Sequence, residues 1–231
     1  MRIVLLPGLD GTGLLFEPLC RAFSSSVQAT VFDYPCERET SCDELAAQLR
    51  AKLPTTEPFI LLGESYGGPL SLKLAAERPR GLCGLILSAS FITCPHSYVP
   101  RWSSRLIVPA MFYPAPLLSK LKALVGRDST PEVHALVNKA LARVAPAVMA
   151  ARVKEVATID VTNELLACPV PILYIQATQD YVVPSNNLEK IQRVRADVKA
   201  VRIEAPHMVL QARAAAAAED IERFANEQST N

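Results

Sequence analysis

Phe59-Ile-Leu-Leu-Gly63-Glu-Ser65-Tyr-Gly67-Gly-Pro-Leu-Ser-Leu-Lys-Leu-Ala-Ala-Glu-Arg78 is the stretch on which the reading of this chain turns. Residues 59–62 form a short apolar run with the length of a buried strand. Residues 65–78 then follow a helical period, with Leu70 and Leu74 on one face and Lys73 and Glu77 off it, until Pro79 stops the helix. Ser65 therefore stands on a sharp strand-to-helix turn inside the pattern G-x-S-x-G. Glycines two residues to either side keep the turn clear of neighbouring elements, so the hydroxyl projects into a cleft. The helix start adds a positive dipole end and the free N–H of Tyr66, both suited to holding negative charge on a substrate oxygen.

Outward from this turn, runs at 3–6, 27–32, 59–62, 85–87, 172–175 and 200–203 alternate with helical stretches. That alternation predicts an α/β fold with a mostly parallel sheet of about six strands and helices on both faces. Ser41-Cys-Asp-Glu44 has the form of a capping box, and Leu45, Leu49 and Leu53 continue it as a helix. A last helix is expected over 207–226, with Leu210, Ala214, Ala217, Ile221 and Phe224 on its buried stripe. Residues 95–158 are far longer than a single crossover helix, so the chain divides into a core of 1–94 and 159–231 and an insertion of 95–158. The insertion reads as helices interrupted by Pro109, Pro114, Pro116, Pro131 and Pro146, forming either a lid over a pocket or a crossover packed on the sheet edge.

An activated serine needs a base, and the chain offers His96, His134 and His207. His134 falls within the insertion and His96 just past the fourth strand, where structural roles suffice. His207 follows the last strand, at the end of the sheet where a loop can reach the crevice beside Ser65. The carboxylate that orients it is expected at Asp180, just after the fifth strand and 27 residues earlier. Asp160 precedes that strand and is expected at the opposite end of the sheet. The loop Pro7-Gly8-Leu9-Asp10-Gly11-Thr12-Gly13 should supply a second backbone donor, the Leu9 N–H, braced by Asp10. It lacks the P-loop lysine, and the spacing of Gly8, Gly11 and Gly13 does not fit G-x-G-x-x-G, which argues against nucleotide binding. Glu64 either tunes the site or, as is expected, faces solvent on its rim.

With 231 residues, 50% of them hydrophobic, the chain can bury a sizeable core, and a net charge of +1 gives no field to gather nucleic acid or an anionic membrane. No apolar run is long enough for a membrane span, and Arg2 opens the first strand without a secretion leader, so a cytoplasmic protein is expected. Six scattered cysteines lack zinc-type or CxxC spacing and read as reduced packing residues, with no metal and no cofactor expected.

Ser65, Asp180 and His207, in that chain order, make the protein resemble the α/β-hydrolase superfamily over nearly the whole chain outside the insertion. Through Gly63-Glu-Ser-Tyr-Gly-Gly68 and the stretch from Cys168 to Pro184 it is similar to small serine esterases of the group that includes pimeloyl-acyl-carrier-protein methyl ester esterase. Two departures stand out: the chain opens on the strand that leads to the oxyanion loop, and Pro7-Gly8 replaces the common His-Gly. The resemblance implies a carboxylic ester hydrolase working through an acyl-enzyme on a small-molecule ester with a short or medium acyl group. A thioesterase or methyl esterase acting on carrier-bound acyl groups would use the same residues. Trp102, Leu106, Phe112, Tyr113 and Leu117 are either an apolar wall for the acyl chain or core. Nine basic and three acidic residues in 95–158 give that segment about +6. Its Arg101, Arg105, Lys120, Lys122 and Arg127 form either a solvated face or a dock for an acidic acyl-carrier protein.

Overall fold

The computed structural model describes residues 1–96, 98, 100–113 and 130–229. Six strands form one sheet: β1 (Arg2–Leu6), β2 (Gln28–Val31), β3 (Phe59–Glu64), β4 (Leu82–Ser88), β5 (Ile172–Ala177) and β6 (Lys199–Ile203). Their order is β2-β1-β3-β4-β5-β6, and every neighbouring pair is parallel. Because side chains alternate across a strand, Ile3 and Leu5 feed one apolar layer while Val4 and Leu6 feed the other. β3 and β5 are buried throughout, whereas β2 and β6 are largely exposed, as befits the two edges.

Helices α2 (Cys42–Arg50), α3 (Gly67–Ala76), α6 (Thr162–Ala167) and α7 (Asn186–Val194) cover one face; α1 (Glu17–Ala22), α8 (Val209–Ala212) and α9 (Ala214–Ser229) cover the other. α2 starts where its capping box requires, with Ser41 Oγ accepting from Glu44 N at 3.2 Å and Ser41 N donating to Glu44 at 2.8 Å. The expected single helix over 207–226 is instead two, separated at Arg213, whose backbone leaves the helical region at φ −133°. α8 starts at Val209, two residues later than expected, which leaves His207 in the loop ahead of it.

Within 95–158 the described chain forms short 3-10 turns at Arg101–Leu106 and Pro109–Phe112, then α4 (Pro131–Leu141) and α5 (Pro146–Thr158). Pro109, Pro131 and Pro146 open these elements rather than interrupt them, because a first-turn residue needs no N–H partner. Pro114 and Pro116 lie outside the described residues. Asp160 differs from expectation too. It pairs with Thr93 just beyond β4, at the same end of the sheet as Ser65, and its carboxylate accepts from Thr162 N, the first residue of α6, at 3.1 Å.

From β1 the chain steps to β2 on one side and then to β3 on the other, so the crevice between the ends of β1 and β3 is the topological switch point of the sheet. Packing here is close. A Cβ on Gly67 would lie 2.3 Å from the Leu6 carbonyl oxygen, and one on Gly63 would lie 2.3 Å from the Gly67 oxygen. The nearest atom to a Cβ on Gly8 would be 3.5 Å away, ordinary contact. Gly67→Ala should therefore cost about 2 kcal/mol or more in urea denaturation, while Gly8→Ala stays within about 1 kcal/mol; equal losses would contradict this account of the crevice.

Candidate active site

Ser65 is the first residue past β3 and adopts φ +51°, a left-handed conformation costing a non-glycine residue about 1–3 kcal/mol. Neighbouring groups hold it there. Ser65 N donates to Ser88 O at 2.9 Å, Gly68 N donates to Ser65 O at 3.0 Å, and Ser90 Oγ donates to the same oxygen at 2.8 Å. Ser90 is itself fixed by Tyr174, whose hydroxyl donates to Ser90 O at 2.7 Å and accepts from Ser90 N at 3.1 Å.

The structure brings Ser65, His207 and Asp180 together from the ends of β3, β6 and β5. His207 Nε2 is 3.1 Å from Ser65 Oγ, and His207 Nδ1 is 2.7 Å from Asp180 Oδ2. The other Asp180 oxygen accepts from Val182 N and Val183 N, each at 2.8 Å, which fixes the carboxylate and disposes it to accept from Nδ1–H. Nε2 is then the acceptor for the serine proton. Burial disfavours the charged imidazole, but the Asp180 charge and hydrogen bond, with Glu64 adding to them, outweigh it and leave the His207 pKa above its ordinary value. His96 instead contacts Tyr98, and His134 lies on α4.

The loop after β1 folds as a tight turn in which Gly11 N donates to Gly8 O at 3.1 Å. In a trans peptide the C=O and N–H point in opposite directions, so this bond turns the Leu9 N–H away from the loop interior. Asp10 does brace the turn, accepting from Thr12 N at 2.9 Å and Thr12 Oγ1 at 2.6 Å. Leu9 and Ser65 both line a cavity of about 300 Å³. Neither the Leu9 N–H nor the Tyr66 N–H has an acceptor among the described residues, which leaves both able to meet an oxyanion above Ser65.

The cavity walls are apolar: Leu15, Phe112, Val137, Leu141, Met149 and Val182 contribute to them, beside Glu64, Asp10 and His207. Of the five residues weighed as an acyl wall or core, Phe112 alone lines it among those described. Trp102, Leu106 and Tyr113 are 63%, 65% and 58% exposed, because 3-10 turns this short present no continuous buried face. Leu117 lies outside the described residues, as do Lys120, Lys122 and Arg127. Glu64 is not on a solvent rim. It is buried, faces the cavity, and receives the Gln211 amide on both oxygens at 3.1 and 3.2 Å, and burial raises its pKa to about 7.

Sequence reasoning missed two further side chains, both on α5. Arg152 is buried and donates to the carbonyls of Leu9, Asp10 and Pro35, and Glu155 accepts from the Tyr66 hydroxyl. Arg152 follows Val148 by four residues and Met149 by three, so a charge on the apolar stripe of Pro146-Ala-Val-Met-Ala-Ala-Arg152 was the available signal. Among the described residues no cluster of His, Cys, Asp or Glu is placed to hold a metal ion, and no helix is long and apolar enough to cross a membrane.

An alignment 95 residues long is 34% identical to the polyketide synthase ThaQ of Burkholderia thailandensis, covering 37% of this chain but 5% of that much longer protein. A thermophilic esterase from Thermogutta terrifontis superposes with a TM-score of 0.83 over 98% of this chain and 90% of its own, at 19% identity. A bromoperoxidase from Bacillus anthracis gives 0.80 over 97% and 91%, at 14% identity. At such identities these structures speak for the fold alone. The family described as serine aminopeptidase, S33 matches residues 40–211, a span that contains Ser65, Asp180 and His207. The chain belongs to this family of the α/β-hydrolase superfamily.

Proposed function

We propose that this chain is a carboxylic ester hydrolase that acts on short to medium acyl esters through an acyl-enzyme on Ser65. The observation that carries the reading is the hydrogen-bonded series Ser65, His207, Asp180 opening onto an apolar cavity of about 300 Å³. His207 Nε2 takes the proton as Ser65 Oγ attacks the ester carbonyl, and Asp180 stabilises the imidazolium. The Leu9 and Tyr66 N–H groups hold the tetrahedral oxyanion. Its collapse expels the alcohol, which receives the proton from His207. Water, deprotonated by His207, then resolves the acyl-enzyme to acid and free serine.

A cavity of about 300 Å³, about ten water-sized volumes, accommodates an acyl chain of up to roughly eight carbons. Its apolar walls, with the carboxyl groups of Asp10 and Glu64 facing it, disfavour an anionic acyl terminus. A carrier-bound acyl thioester or methyl ester is the second reading, favoured by the stretch shared with a polyketide synthase and by the basic surplus of 95–158. Salt-sensitive binding of an acidic acyl-carrier protein, together with faster turnover of its acyl thioester than of free esters, would select that reading.

On p-nitrophenyl esters of two to twelve carbons the wild type should show an optimum at short to medium length. Ser65→Ala and His207→Ala should each lower kcat by about 10⁴-fold or more. Inactivity of the wild type on every ester, or preference for aminoacyl amides, would overturn the ester reading.

Only neutral His207 can accept the serine proton, so activity should fall as pH drops through its pKa. That pKa is raised, so the acid limb of kcat/KM should sit above about pH 6.5. Glu64 adds to the rise, so Glu64→Gln should move the limb to lower pH. A pH–rate profile with the limb below pH 6, or unmoved in Glu64→Gln, contradicts the assignment.

A further inference from the structure

Arg152 makes no ion pair among the described residues although it is 1% exposed. A guanidinium at that depth is ordinarily matched by a carboxylate. This one is spent on main chain: Nη1 donates to Leu9 O at 2.7 Å and Asp10 O at 3.0 Å, and Nη2 donates to Pro35 O at 2.8 Å. The loop is shaped to admit it. Gly11 sits at φ +68°, and a Cβ there would be 2.6 Å from Arg152 Nη1.

The consequence runs along the peptide groups. Asp10 C=O, which accepts from Arg152, shares its peptide with the Gly11 N–H; that N–H donates to Gly8 C=O, and Gly8 C=O shares its peptide with the Leu9 N–H. Each accepted bond polarises the amide that donates the next one, so the guanidinium charge strengthens the Leu9 N–H as a donor two peptides away. Glu155 lies one turn further along α5. It accepts from the Tyr66 hydroxyl and from Cys42 N at 2.8 Å, fixing the residue that carries the other candidate donor. Tyr34 closes the network, with Arg152 stacked 5.5 Å from its ring centre, its ring edge-on to Tyr66, and its hydroxyl donating to Pro7 O at 3.0 Å.

We propose that α5 is the mount of the oxyanion site, with Arg152 orienting and polarising the Leu9 N–H and Glu155 orienting Tyr66. Both are positioning residues, and the inference rests on the ester-hydrolase reading. A merely structural role, tying the insertion to the core, would lower the melting temperature without selecting the transition state.

The test compares Arg152→Met, Arg152→Lys and Glu155→Gln with wild type for melting temperature, kcat and KM on p-nitrophenyl butyrate, and affinity for an alkyl trifluoromethyl ketone. Ser65 Oγ adds to the ketone carbon, the carbonyl oxygen becomes the oxyanion, and the serine proton passes to His207. In Arg152→Met, kcat and ketone affinity should fall together by about 10- to 100-fold while KM changes less than about threefold, with partial recovery in Arg152→Lys. Folded variants whose kcat and ketone affinity stay within about twofold of wild type, or whose KM worsens as much as kcat, overturn the proposal. If Arg152→Met does not fold, the size-preserving Glu155→Gln and Arg152→Lys decide by the same criterion. A wild type that neither hydrolyses the ester nor binds the ketone overturns the ester-hydrolase reading itself; an active wild type with undisturbed variants overturns this inference alone.

Discussion

Three strands and a helix converge on the backbone of Ser65 at distances that admit only glycine on either side. Gly67 lies against the carbonyls of Leu6 and Pro7, Gly63 against Gly67, and Gly68 against the Ser90 hydroxyl. Without its hydrogen bonds to Ser88, Gly68 and Ser90, Ser65 would relax out of its positive φ, gaining about 1–3 kcal/mol. It is held by β3, buried along its whole length between β1 and β4. Fully burying a side chain such as Ile60, Leu61 or Leu62 is favourable by about 1.5–3 kcal/mol, so the sheet outweighs the strain several times over.

The same sheet order distributes the chemistry. β1 and β3 are neighbours in space but not in sequence, so the loop after one and the turn after the other face a shared crevice. Leu9 and Ser65 come from those two connections, while Asp180 and His207 arrive from β5 and β6. A span of three strand spacings, about 14 Å, separates β3 from β6, and the loop between β6 and α8 covers it. The helix start at Val209 allows this, since it leaves His207 in the loop rather than on a rigid helix.

The strands were legible because parallel strands buried on both faces read as plain apolar runs, and Phe59 to Leu62 is such a run. Ser65, Asp180 and His207 were legible because each follows a strand. Glu64 was not: whether the residue before Ser65 faces solvent depends on the α8 side chain of Gln211, 147 positions away, being there to receive it. Arg152 was only half legible: a single charge on an apolar stripe marks it as unusual, but its role depends on loop carbonyls 117 to 143 positions away. Trp102, Leu106 and Tyr113 are neither wall nor core: an apolar side chain read by composition suits both, whereas the short turns at 101–112 leave these three exposed.

The central claim is that the strained turn presents Ser65 as a nucleophile activated by His207. Labelling with a fluorophosphonate, followed by mass mapping of the modified peptide, tests it most directly. The account predicts one phosphonyl group per chain, on Ser65, and loss of labelling in His207→Ala. No adduct on the folded wild type, or an adduct on any other residue, would contradict it.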